Sequence, residues 1–136
     1  MKELTIEAKV ENLHQVLAFV DEYLESLDCP MKIQMQIDVA VEEIFVNVAS
    51  YAYTPSTGSV TLQLESEPSP LSVSITFIDS GVPYNPLAKK DPDVSLSAEE
   101  RSIGGLGIYM VKKSMDEVLY RYENGENVLT IRKKLQ

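Results

Sequence analysis

The stretch SVTLQLESEPSPLSVSITFIDSGVPYNP, residues 59–86, decides how the rest of the chain is read. SVTLQLESE and LSVSITFID both alternate apolar and polar residues, the two-residue period of a strand with one buried face. Only PSP separates them, so they are predicted to pair antiparallel. The second run stops on Asp79, followed by Ser80-Gly81 and two prolines. An acid at the end of a buried strand is costly unless it is hydrogen-bonded. Its own backbone two residues on can supply the donor, which would make this a turn. A ligand N–H can supply it too, which would make it a site, with Gly81 leaving room for close approach.

Upstream, LTIEAKV reads as a short strand. Leu13, Val16, Leu17, Val20, Leu24 and Leu27 then fall on one helical stripe, with Asn12 as the predicted N-cap and Pro30 beyond the end. A longer helix is predicted from about Lys32 to Tyr53, stopped by TPSTG. Downstream, Ser80 to about Gly104 is polar and irregular, the length of a lid or binding loop rather than a connector. GLGIYMVKKSM reads as a glycine-led helix, and the last two strands flank Asn124-Gly125, a strong hairpin signal. The order is strand, two helices, two strands, loop, helix, two strands. It predicts an α/β (α+β) two-layer sandwich over residues 1–136, a mostly antiparallel, mixed sheet with helices on one face.

Bulk composition narrows the function classes. A chain of 136 residues with 44% hydrophobic and 24% charged residues can bury its own core. Its net charge of −9 disfavours nucleic acid and suits a basic protein partner, or simply keeps a small protein soluble. No apolar run reaches the ~18 residues of a membrane span, and MKELTIEAKVENL has no signal-peptide core, so no membrane role is expected. Cys29, the single cysteine, excludes an internal disulfide and fits a cytoplasmic setting. His14, the single histidine, lies on the first helix, which leaves no material for a Ser-His-Asp or zinc site elsewhere.

Three features could carry chemistry. Glu43 and Asn47 are four apart on the long helix and share a face, where their oxygens could serve a hydrated Mg²⁺ or a reacting hydroxyl, or could simply be solvated. Asp79 and Gly81 form the strand end described above. Gly104, Gly105 and Gly107 lead into a helix whose free N–H groups favour an anion, with Arg101 just upstream. Each alone is equally at home in a boundary position, a turn or a hinge.

In order, these three motifs resemble the ATP-binding domain shared by gyrase-type topoisomerases, heat-shock chaperones, histidine kinases and mismatch-repair ATPases. Within it, ERSIGGLGIYMVKKSMDEV and the short chain are most similar to the bacterial anti-sigma factor serine/threonine kinases. The resemblance covers about residues 5–134. It implies ATP and Mg²⁺ as cofactors, Glu43 as the base that takes the acceptor hydroxyl proton, and Asn47 as the Mg²⁺ ligand. It implies Asp79 as the acceptor of the adenine amino group, Gly81 as the gap beside the base, and Arg101, Gly104, Gly105 and Gly107 around the phosphates. Residues 80–104 would be the ATP lid. The partners implied are a sigma factor and its antagonist protein, with a homodimer as the working form. Pro83 and Tyr51 depart from the wider pattern, which has glycine and often histidine there. The competing expectation is a non-catalytic, ATP-gated binding module. A detached histidine-kinase catalytic domain would need a phosphoacceptor helix pair that this chain has no room for.

Overall fold

The computed structural model describes residues 1–53, 56–88 and 105–135. Strand β1 (Lys2–Glu7) is followed by helices α1 (Leu13–Ser26) and α2 (Met31–Asn47), the hairpin β2 (Ser59–Pro68) and β3 (Leu71–Asp79), helix α3 (Gly105–Ser114), and the hairpin β4 (Glu117–Glu123) and β5 (Glu126–Lys134). The five strands run in the spatial order β1-β2-β3-β5-β4, and every pairing is antiparallel. The expected α+β fold is therefore borne out. The mixed element of the sheet is not: β2–β3 and β4–β5 close as hairpins, and the longer connections bring β1 beside β2 and β5 beside β3 antiparallel as well.

Period-two patterning sorts the two faces of the sheet. Val60, Leu62 and Leu64 of β2, and Val73, Ile75 and Phe77 of β3, are buried. They meet Val16, Val20 and Leu24 of α1 and Ile37, Val41, Ile44 and Phe45 of α2 in one hydrophobic cluster. Each such side chain contributes about 1.5–3 kcal/mol relative to exposure. The opposite face carries hydroxyl rungs instead, with Thr5 against Thr61 at 2.8 Å and Thr76 against Thr130 at 3.1 Å. A face of that kind needs no covering layer, so the helices collect on one side.

Local chemistry explains the second hairpin and two departures. Asn124 and Gly125 both take positive φ, 54° and 78°, as a two-residue turn between twisted strands requires. Asn12 stands at the N-cap of α1, as expected, but makes no side-chain capping bond to it. It ends a short 3₁₀ turn, Val10–Asn12, and its amide donates back to the Glu7 carbonyl at 3.0 Å. The long helix is α-helical only to Asn47, and Val48–Ala52 continue as a wider π-helical turn. Such turns are short and cluster at functional sites. Here it turns Tyr51 out, 65% exposed, and Ala52 in.

Candidate functional site

The β2–β3 and β3–β5 registers bring the ends of three strands together beneath α2. Asp79 pairs with Val60 on one side and Asn127 on the other. Both Asp79 and Asn127 are only 6% exposed, on the helix-facing side of the sheet. Above them opens a cleft with about 510 Å³ of empty space, part of it open to solvent. Ile44, Val48, Phe77, Ile108 and Leu129 give it apolar walls. Asn47, Asp79, Tyr120 and Asn127 line it among its polar residues, with Tyr51 and Tyr84.

Asp79 makes the local turn bond that its motif allows and a second bond across the sheet. Its Oδ1 accepts from the Gly81 N–H at 2.9 Å, the local turn bond, and from Asn127 Nδ2 at 3.0 Å. The described hydrogen bonds all fall on Oδ1. Gly81 is packed so closely that a Cβ there would run into the Ala52 carbonyl, which instead accepts from Val82 N–H at 2.9 Å. Tyr53 fixes the same corner by donating to the Ser59 carbonyl at 2.6 Å and accepting from Ser80 N–H at 2.8 Å. Burial pushes the Tyr53 phenol above its ordinary pKa, with the Asp79 charge adding to it against the Ser80 bond, so it stays a donor at neutral pH. Tyr120 is raised in the same way, by burial first and by Asp79 after it. The segment that leaves the strand is built as well: Asn85 Oδ1 accepts from Leu87 N–H at 2.9 Å and caps the short turn Pro86–Ala88.

The other expected residues divide. Asn47 lines the cleft with Asp79. Glu43, one turn back on α2, is half-buried and lies against α3, where a Cβ on Gly107 would overlap its carboxylate. Gly107 thus makes room for Glu43, a role its place among the phosphate-loop glycines did not suggest. Gly105 opens α3. Arg101, Gly104 and most of the expected lid lie outside the described residues. Sequence reasoning missed Asn127, although a signal existed: it occupies a core-facing position in line with Leu129 and Ile131, where an amide is unusual.

Residues 6–133 match the family model described as a histidine kinase-like ATPase domain, and the chain belongs to that family. Among curated relatives it is 24% identical over 100 residues to the serine/threonine-protein kinase BtrW of Bordetella bronchiseptica, covering 74% of this chain and 70% of that one. It is 25% identical over 95 residues to the serine-protein kinase RsbW of Bacillus mycoides, covering 67% of this chain and 58% of that one. The fold is similar to a Mycobacterium tuberculosis structure of RsbU and RsbW domains, with TM-score 0.64, 18% identity, and coverage of 99% of this chain and 33% of that one. It is also similar to a chain of the SiaB–SiaC complex from Pseudomonas aeruginosa, with TM-score 0.57, 14% identity, and coverage of 96% and 88%.

Proposed function

We propose that this chain is an ATP-dependent protein serine/threonine kinase of the anti-sigma type. It would phosphorylate an antagonist protein and hold a sigma factor inactive, in the cytoplasm and as a homodimer. One observation carries the reading: an amide, Asn47, and a buried carboxylate, Asp79, converge on one apolar cleft, with a second carboxylate, Glu43, a helical turn from the amide. The kinase names of the two curated relatives support it.

The residues fit an adenine nucleotide and Mg²⁺. A buried acceptor at the foot of an apolar cleft suits a base bearing an exocyclic amine. Among the described residues no group of three or more His, Cys, Asp or Glu could hold a metal. Mg²⁺ commonly needs only one or two protein oxygens besides substrate phosphates, and Asn47 offers one. Bound with Mg²⁺, ATP supplies the phosphoryl group and the charge neutralisation that such transfer requires. In this reading Asp79 orients the base and Asn47 the metal. Glu43 accepts the proton of the incoming serine or threonine hydroxyl, while Arg101 and the N–H groups around Gly104, Gly105 and Gly107 receive the phosphates. The single domain over 1–136 would carry residues 80–104 as its lid.

One observation favours the alternative, an ATP-gated binding module: Glu43 rests against α3 at Gly107 and is not among the residues lining the cleft. Transfer of labelled γ-phosphate to a co-encoded antagonist protein separates the two. Glu43→Ala is expected to slow transfer by about 10²–10⁴-fold with nucleotide affinity kept. Nucleotide-dependent partner binding without any phosphorylated product in the wild type would leave the binding module.

A further inference from the structure

Asn127 has a carboxamide with two N–H donors and an oxygen that accepts twice. All four positions are used. Nδ2 donates to Asp79 Oδ1 at 3.0 Å and to the Val82 carbonyl at 2.9 Å. Oδ1 accepts from Tyr84 N–H at 3.1 Å and from the Tyr120 hydroxyl. At 6% exposure, none of these bonds can be traded for water without cost. One side chain therefore ties together the acid of the cleft, the first turn of the segment beyond it, and edge strand β4. A saturated amide has nothing left for a ligand, so whatever it contributes passes through Asp79 and that segment.

We propose that Asn127 is a positioning residue that sets base selectivity. By occupying Oδ1 together with the Gly81 N–H, it leaves the other carboxylate oxygen as the acceptor presented to the cleft. A carboxyl oxygen held there as an acceptor selects a purine with an exocyclic amine and rejects one with an oxo group in its place, which would leave the acid facing a carbonyl. The same amide anchors Val82 and Tyr84, so selectivity and the placement of residues 82–84 change together. The inference rests on reading the cleft as an adenine-nucleotide site.

The test compares ATP with inosine triphosphate, which carries oxo where adenine carries the amine, by thermal shift and direct titration on the whole chain. The wild type should prefer ATP by at least about tenfold. Asn127→Asp keeps the side-chain shape but replaces both donors with an acceptor. Its preference should fall toward unity. Asn127→Ser, too short to span the four partners, should lose the preference as well. Equal weakening of both nucleotides in the two variants, or a preference that persists unchanged, would overturn the inference while leaving the adenine site standing. A wild type that binds neither nucleotide overturns the adenine reading itself, and this inference with it.

Discussion

Among the described residues, Asp79 and the pair Asp21 and Asp38 bury carboxyl oxygens, and they meet that burial by opposite means. Asp79, at the strand end, is met by N–H donors from Gly81 and Asn127. Asp38 on α2 faces Asp21 on α1, and each keeps an Oδ1 that is buried with no hydrogen-bond partner. Burial pushes Asp38 up to about 8, helped by its hydrogen bond to Asp21 and by the charges of Asp21 and Glu25. The same pair, after burial, raises the neighbouring Cys29 thiol. Gln34 is the amide at hand, but it reaches Glu25 instead, at 3.4 Å. Where donors are supplied, the acid's oxygen is met by N–H groups and held in place to read a ligand. Where they are missing, a proton does the job and the acid becomes a pH-dependent packing element.

The comparison can be broken at either end. The largest expected effect on stability is at Gly81→Ala. The new methyl meets the Ala52 carbonyl, a backbone atom that cannot step aside, and overpacking of this kind costs about 1–3 kcal/mol. Denaturant unfolding would read it, and the nucleotide-induced shift should weaken in parallel. Tyr53→Phe comes next. It strands the Ser80 N–H and removes the bond to Ser59, for about 1–2 kcal/mol. The smallest effect is at the acidic pair. The folded-state Asp38 value lies above its unfolded value of 3.8, so between about 4 and about 8 only the folded state holds the proton. Stability is then fully present at acid pH and declines as pH rises through that window. Asp38→Asn should flatten the decline and stabilise the chain near pH 8 by about 1 kcal/mol, a modest gain because the pair is partly screened by solvent. Thermal midpoints of both proteins from pH 4 to about 8.5 measure it. A wild-type midpoint that rises across the window would contradict the assignment.

What the sequence disclosed follows the reach of each interaction. Elements set by neighbours in the chain were legible: the alternation of β2 and β3, the helical stripe of α1, and the Asn124-Gly125 turn with its two positive φ values. The two hairpins followed from the sequence, but the antiparallel pairing of β1 with β2 and of β3 with β5, which closes the sheet without a mixed element, did not. The π turn after Asn47 was not legible, because its residues carry the same apolar period as the helix before it. Asp79 was legible as an anomaly at a strand end. Its partner was not, because the pairing of Asp79 with Asn127 joins residues 48 apart through a register no local pattern fixes. Nor was the contact between Glu43 and Gly107, which depends on how α3 returns to α2. Asp21 and Asp38 each look like ordinary boundary residues of an amphipathic helix. Only the packing of α1 on α2 sets them face to face.

The central claim is that the cleft above Asp79 takes an adenine nucleotide. Its most direct test is the thermal midpoint of the wild type and of Asp79→Asn with ATP or ADP at millimolar concentration, with and without Mg²⁺. A ligand present at 100 times its dissociation constant stabilises the folded state by about 2.7 kcal/mol. The wild type is expected to show a clear upward shift, larger with Mg²⁺, and Asp79→Asn little or none. No shift in the wild type, or an equal shift in the two proteins, would contradict the claim.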